Sequence, residues 1–202
     1  MHPSDIGRSY DSIAHLWLKS HIQSNGIEQF KRAIQFVRNG KFALDIGCGS
    51  NTRFTDLLTD HGFLVEGIDI SKEMVTLAKV SRPEIAFHHE DICAWEFPRS
   101  YDFISAWDSI WHLPLEQQKP VLQKICKGLT LGGIFIFTLG GLDSPSEKPD
   151  SSMGPLVHYS TLGIPLALQL LSEFGCVCRH LEFDQYPENH LYIIAQKTKH
   201  VL

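Results

Sequence analysis

A short apolar segment at residues 42–46 runs directly into a turn that contains Gly47 and Gly49. An apolar segment of this length, ended by glycines, is typical of a strand that is buried on both faces. A helical pattern starts near Arg53, so the chain is expected to form a strand, a tight turn and a helix in succession. Glycine has no Cβ, so this turn also allows a ligand to approach the backbone closely.

The same alternation continues along the chain and predicts its fold class. Further strands are expected at 63–68, 85–88, 101–107 and 133–139, and helices at 27–37, 53–60, 71–80 and 116–129. Strands that alternate with helices pair in parallel through right-handed crossovers. After a helix at 162–174, two strands at 176–183 and 191–196 are close enough in sequence to form an antiparallel pair at one end of the sheet. We therefore predict an α/β fold with a doubly wound, mostly parallel seven-stranded sheet and helices on both faces.

Composition narrows the classes of protein that this chain can represent. Its 202 residues, 43% of them hydrophobic, suit one domain with a core of its own. The net charge of −5 and the absence of Lys/Arg runs argue against a nucleic-acid partner. No apolar stretch approaches the roughly 18 residues of a membrane span, so we expect no membrane association and a cytoplasmic location. The oligomeric state is left open.

An acid at the end of the second expected strand points to a nucleoside ligand. Asp69 follows that strand, and in a parallel sheet its carboxyl end lies beside the glycine turn. A carboxylate there can accept hydrogen bonds from both hydroxyls of a ribose. The dinucleotide pattern Gly-x-Gly-x-x-Gly requires a third glycine where this chain has Thr52. Asp45, at the start of the turn, also suits a cationic ligand better than a phosphate, so an NAD(P)-dependent oxidoreductase is the less favoured alternative.

These segments, taken in order, resemble the motifs of class I S-adenosylmethionine (SAM)-dependent methyltransferases. The resemblance is carried by residues 45–49, 65–71, 90–92, 101–113 and 129–133. It covers most of the chain from about residue 43 onward. Where the family usually has a third glycine, this chain has Asn51, which tolerates a positive φ, so we expect the turn to be retained.

The resemblance implies SAM as cofactor and gives each motif residue a role. The implied cofactor-binding residues are Tyr10, Asp45, Gly47, Cys48, Gly49, Asp69, Ile70, Asp91, Ile92 and Trp107. The glycine turn would lie along the methionine part, with Asp69 on the ribose and Asp91 on the adenine amine. Trp107 would lie near the sulfonium. Tyr10 resembles the lid tyrosine of many small-molecule methyltransferases, so residues 1–40 are expected to form an N-terminal helical lid on a single methyltransferase domain spanning 1–202.

The expected reaction is methyl transfer by in-line displacement, which mainly requires that the enzyme orient the reactants. His112 is the candidate catalytic residue, as a base for an acceptor that arrives protonated. Asp108 could take the same proton, and His112 could instead hold its loop through a backbone hydrogen bond. No metal site is expected.

The methyl acceptor is expected to be a small molecule. Enzymes that methylate nucleic-acid bases or protein amides often carry an Asn/Asp-Pro-Pro-aromatic motif after the fourth strand, and this chain has Trp107-Asp108-Ser109-Ile110 there. A non-catalytic module that binds SAM or S-adenosylhomocysteine (SAH) is the main alternative. Residues 140–154 are rich in Gly, Ser and Pro and are expected to form a mobile loop or lid.

Overall fold

A computed structural model describes residues 1–18 and 24–199 of the chain. Its strands are β1 (Phe42–Ile46), β2 (Leu64–Asp69), β3 (Ala86–His89), β4 (Tyr101–Ala106), β5 (Leu129–Gly140), β6 (Ser146–Asp150), β7 (Val157–Thr161), β8 (Cys176–Phe183) and β9 (His190–Lys197). Its α-helices are α1 (Pro3–Ile13), α2 (Ile27–Ile34), α3 (Arg53–Asp60), α4 (Lys72–Ser81), α5 (Leu115–Gly128) and α6 (Ile164–Glu173). Within the described residues, short 3-10 helices span Ala14–Leu18 and Ile110–His112.

The predicted sheet is confirmed. Seven strands lie in the order β3-β2-β1-β4-β5-β9-β8; the first five are parallel, and β9 is antiparallel to both of its neighbours. From β1 the chain continues outward to β2, whereas from β4 it continues to β5 on the other side. The loops after β1 and β4 therefore diverge and open a crevice at the carboxyl ends of the strands, where ligands of such sheets bind.

Alternate side chains of the strands build a core on each face of the sheet. Leu44 of β1 packs into the larger cluster, which includes α5 and α6, whereas Ala43 packs into the cluster of α2 and α3. In the second cluster Phe30 and Phe54 stack with ring centroids 3.7 Å apart. Among the described residues, no helix combines the length and the apolar character needed to cross a membrane.

The part of the expected N-terminal lid that the structure describes is helical and packs beside the glycine turn. Asp11 of α1 accepts hydrogen bonds from Ser71 Oγ (2.7 Å) and from the backbone N–H of Glu73 (3.1 Å) at the start of α4. A Cβ at Gly7 would lie 2.7 Å from the carbonyl oxygen of Ile70, so a glycine is needed for this close approach. Residues 19–23 of the expected lid lie outside the described part of the chain.

The expectation of a mobile loop at 140–154 is wrong for its central part. Strand β6 pairs with β7 in a separate two-stranded antiparallel sheet, from Ser146↔Thr161 to Asp150↔Val157. The Gly/Ser/Pro composition predicted irregular structure, but the hydrogen-bond partner of this segment comes later in the sequence. Local composition therefore could not reveal the pairing.

Candidate active site

The loops after β1, β2, β3 and β4 enclose a cavity of about 340 Å³ at the carboxyl ends of the strands. All of the predicted site residues except Asp45 line this cavity. Side chains of α1 and of the β6–β7 hairpin, among them Tyr10, Met153 and Tyr159, also form part of its wall. Segments that are far apart in sequence thus meet around one volume of a size that accommodates small-molecule ligands.

The two glycines of the turn are required for different reasons. Both adopt positive φ, 71° at Gly47 and 63° at Gly49, a region that residues with a Cβ rarely occupy. A Cβ at Gly47 would lie 2.2 Å from Cβ of Ser109, so this glycine lets the loops after β1 and β4 pack together. At Gly49 a Cβ would meet no atom closer than 4.0 Å. Open space for a ligand therefore exists at Gly49, whereas the sequence interpretation had assigned that reason to both glycines.

Asp45 supports the turn from below the cavity. Its side chain is buried, and Oδ1 accepts a hydrogen bond of 2.6 Å from Ser105 Oγ on the neighbouring strand β4. Burial raises the pKa of Asp45 to about 6, against the opposing effects of the Ser105 bond and the Arg53 charge. Asp45 therefore links two strands beneath the turn and does not line the cavity.

Asn51 keeps the turn in a way that the sequence did not suggest. Among the described residues, only Asp108 is a non-glycine residue with positive φ, so Asn51 does not take the left-handed conformation. Instead, its Oδ1 accepts a hydrogen bond from the backbone N–H of Arg53 (3.1 Å), and its Nδ2 donates to the carbonyl of Trp17 (3.3 Å). The side chain thus starts α3 and ties the turn to the N-terminal segment.

Asp69 connects the end of β2 to the glycine turn and to the start of α4. Its Oδ2 accepts from the backbone N–H of Gly49 (2.9 Å), and its Oδ1 accepts from that of Ser71 (2.8 Å). Burial raises the pKa of Asp69 to about 6, although these two N–H groups lower it. Each carboxylate oxygen retains a second lone pair, so the group can accept two more hydrogen bonds, as from a vicinal diol.

Apolar and acidic residues that follow β2 and β3 form a further part of the cavity wall. Ile70, Met74 and Ile92 line it together with Asp91. Oδ1 of Asp91 accepts from the backbone N–H of Cys93 (2.8 Å), so Asp91 stabilises a turn. Asp91 also lines the cavity, where its carboxylate can accept a hydrogen bond from a ligand amine.

Tyr10 and His112 form a hydrogen-bonded pair in the wall of the cavity. Nδ1 of His112 lies 2.8 Å from the carbonyl oxygen of His158, which only accepts, so Nδ1 donates. Burial lowers the pKa of His112 to about 4, although the His158 bond raises it, so the ring is neutral near pH 7. Nε2 therefore accepts from the Tyr10 hydroxyl (2.7 Å) and from the Trp111 indole N–H (3.1 Å). His112 thus makes the loop-holding backbone bond and still has a basic nitrogen.

Trp107 belongs to the cavity wall and to the core at the same time. It is buried, and its ring lies 5.8 Å from that of Phe30 and 5.7 Å from that of Tyr192. Its Nε1 has no hydrogen-bond partner among the described residues. Its packing makes Trp107 a rigid part of the wall.

Arg53 is a cavity residue that the sequence interpretation missed. It is the first residue of α3, and its Nε donates to the carbonyl of Asn25 (2.9 Å). Burial lowers the pKa of Arg53, and the charges of Asp45 and Asp108 oppose that shift. Because Arg53 comes directly after the glycine turn, the sequence could have indicated that it lies at the cavity. Trp17 and Met153 also line the cavity, but nothing in their local sequence indicated it.

The strand order, the glycine turn and the acid at the end of β2 define a nucleoside-binding α/β fold of the class I methyltransferase type. In agreement, a family model described as a methyltransferase domain matches residues 43–133. The crystal structure of 1,6-didemethyltoxoflavin-N1-methyltransferase from Burkholderia thailandensis, with bound substrate and SAH, has a TM-score of 0.74. The two sequences are 17% identical, and the superposition covers 98% of this chain and 87% of the methyltransferase. The similarity is therefore one of fold.

Sequence relatives agree with this class. Phosphoethanolamine N-methyltransferase of Plasmodium falciparum is 34% identical over 127 residues, which are 59% of this chain and 47% of the relative. Ubiquinone biosynthesis O-methyltransferase of Coxiella burnetii is 28% identical over 108 residues, 51% of this chain and 44% of the relative. The chain thus spans about half the length of the curated relatives it matches. Residues 43–133 thus match a methyltransferase domain, and the fold is that of class I SAM-dependent methyltransferases, as the sequence predicts.

Proposed function

We propose that this protein transfers the methyl group of SAM to a small-molecule acceptor. The observation that carries the proposal is that one cavity is lined by two chemically different sets of residues, which we assign to two ends of the bound reactants. One end has the glycine turn and the Asp69 carboxylate, which suit a nucleoside. The other has the Tyr10–His112 pair and Asp108, which suit a polar group that loses a proton.

The first end fits the cofactor that the family uses. Asp69 would accept from the ribose hydroxyls and Asp91 from the adenine amine, with Ile70 and Ile92 as apolar neighbours. The guanidinium of Arg53 would bind the carboxylate of the methionine part, because its terminal nitrogens have no hydrogen-bond partner among the described residues. When bound, SAM would supply a methyl group attached to a sulfonium, and the leaving group would be the neutral thioether SAH. Helix α1, with Tyr10, would cover the cofactor as a lid.

The second end can hold the proton that the acceptor loses. An N–H or O–H of the acceptor would donate to the Tyr10 oxygen, while the Tyr10 hydroxyl donates to Nε2 of His112. As the acceptor proton moves to Tyr10, the original hydroxyl proton moves to Nε2, and His112 becomes an imidazolium. The His158 carbonyl stabilises that charge through Nδ1. His112 is neutral near pH 7 and so has a nitrogen free of a proton, while its burial makes it a weak base whose imidazolium form must be stabilised by its partners.

An amine is the acceptor class that these residues favour. The carboxylate of Asp108 attracts a cation, and the rings of Trp17, Trp111 and Tyr159, which also line the cavity, offer π faces to an ammonium group. The match to phosphoethanolamine N-methyltransferase supports the same chemistry, since that relative methylates nitrogen by its name.

The test is a methyl-transfer assay with SAM and a panel of small acceptors, including phosphoethanolamine and catechol, with SAH measured by mass spectrometry. We expect methylation of an amine. His112→Asn should lower kcat by about 100-fold, the usual loss on removing a general base, with little change in SAM affinity. His61→Asn is the matched control, because His61 bonds to the Leu57 carbonyl on the exposed surface of α3. SAM binding without turnover of any acceptor would favour the non-catalytic module instead.

A further inference from the structure

His190 lies between two carboxylates beside the acceptor end of the cavity. It is the first residue of β9, and its side chain is 8% exposed. Nδ1 lies 2.6 Å from Oδ1 of Asp184, and Nε2 lies 2.9 Å from Oδ1 of Asp108. A carboxylate oxygen only accepts, so both ring nitrogens must donate, and a ring with two N–H groups is an imidazolium. The three side chains thus form an anion–cation–anion triad, Asp184–His190–Asp108, that is buried at Asp184 and His190.

A neutral side chain contacts each end of the Asp184–His190–Asp108 triad. The second oxygen of Asp184 accepts from Gln29 Nε2 of α2 (2.8 Å). The second oxygen of Asp108 has a long contact of 3.4 Å with Asn25 Nδ2. That oxygen is therefore weakly satisfied, and the Asp108 side chain is 34% exposed and lines the cavity. The Asp184 end of the triad is therefore closed by protein, whereas the Asp108 end is open to a ligand.

The backbone of Asp108 also depends on its surroundings. Its φ is 51°, a conformation that persists in a non-glycine residue only where neighbouring contacts hold it. Its backbone N–H donates to Thr138 Oγ1 of β5 (2.8 Å), and its side chain is held by His190. Strained residues held in this way cluster at binding and catalytic sites.

We infer that His190 and Asp184 are positioning residues, which hold Asp108 as an ionised carboxylate directed at the amino group of the acceptor. The inference rests on the proposed function, because it assigns Asp108 to acceptor recognition. His190 touches neither end of the proposed reaction and acts through Asp108. Asp184 acts through His190 and does not line the cavity.

This arrangement makes acceptor recognition sensitive to alkaline pH. Among the described residues, the charged groups that face His190 are Asp184, from the β8–β9 connection, and Asp108. The neighbouring rings of Trp107 and Trp111 and the amide of Gln29 on α2 are neutral. Burial opposes the charge on His190, but hydrogen bonds and charges from Asp108 and Asp184 outweigh it and raise the pKa. When the pH rises above that pKa, His190 loses one proton and its hold on Asp108.

The test compares Asp184→Asn, which keeps the shape but removes one charge, with the wild-type protein. Imidazole ¹⁵N NMR of the SAH complex should show both His190 nitrogens protonated near neutral pH in the wild type, with the second proton lost at lower pH in the variant. With phosphoethanolamine as probe, KM should rise about tenfold, as for one weakened charge-assisted hydrogen bond, with kcat and SAM affinity nearly unchanged. Glu182→Gln is the matched control, since Glu182 bonds to Tyr192 and His180 instead.

Three results would overturn the inference. They are a singly protonated His190 near neutral pH, an unchanged acceptor KM in Asp184→Asn, and a parallel loss of SAM affinity, which would indicate general damage to the fold. If the wild type methylates no amine, the proposed acceptor class fails. The NMR experiment, which needs no turnover, then decides on its own whether His190 is held as a cation.

Discussion

At the scale of single residues, Asp45 and Asp69 show how two carboxyl groups with similarly raised pKa values can serve different purposes. Burial raises the pKa of both carboxyl groups to about 6. Asp45 accepts from Ser105 and faces the sheet, whereas Asp69 accepts from two backbone N–H groups and retains lone pairs toward the cavity. Only Asp69 is therefore placed to gain hydrogen bonds from a ligand.

Asp69→Asn should weaken SAM binding by about tenfold or more, because hydrogen bonds to a charged group contribute about 1.5–3 kcal/mol and 1.4 kcal/mol is a factor of ten. In the wild type, affinity should also fall between about pH 7.5 and about pH 5.5, as Asp69, with its pKa of about 6, becomes protonated. Calorimetric titration measures both effects. Asp45→Asn should keep the pH dependence and Asp69→Asn should lose it; wild-type affinity in Asp69→Asn at both pH values would refute the assignment.

Residues adjacent to a motif could be predicted from the sequence, and residues brought in by tertiary contacts could not. Asp69 and Asp91 follow predicted strands, so their position at the sheet edge was implied. Gly47 is required because a Cβ there would collide with Ser109, which lies far along the chain. The sequence interpretation therefore assigned the wrong reason to this glycine. His190 and Asp184 carry no local motif, and their contact with Asp108 arises only because β9 lies beside β5.

At the scale of elements, the β6–β7 hairpin and helix α1 complete the site from outside the main sheet. The hairpin orients His112, because the carbonyl of His158 on β7 accepts from its Nδ1. Helix α1 delivers Tyr10 and is fastened to the start of α4 through Asp11. The hairpin thus forms a wall of paired strands, whereas α1 is held to the rest of the domain by a few side-chain hydrogen bonds.

Asp11→Ala should loosen α1 without unfolding the sheet. Loss of its bonds to Ser71 and Glu73 removes about 1 kcal/mol of docking free energy, so amides of α1 should exchange hydrogen roughly fivefold faster. Hydrogen–deuterium exchange with mass spectrometry measures this, and SAM affinity should fall in parallel. Ser12→Ala is the control, because Ser12 is exposed and bonds only to the Ser9 carbonyl of its own helix. Equal exchange in both variants would show that Asp11 does not dock α1.

At the scale of the whole molecule, the order of the strands determines where the cavity lies. Because the chain leaves β1 and β4 in opposite directions, their loops separate and the glycine turn faces a crevice. Hydrophobic periodicity predicted this sheet, since strand and helix patterns alternate clearly along residues 42–139. The extent of the domain, 1–202, and the lid role of residues 1–40 stay predictions.

The central claim is that this cavity binds SAM, and calorimetric titration of the purified protein with SAM, SAH and NAD tests it most directly. We expect micromolar affinity for SAM and SAH and no measurable affinity for NAD, because the cavity offers a ribose acceptor and no turn for a pyrophosphate. Binding of NAD alone, or of none of the three, would contradict the account.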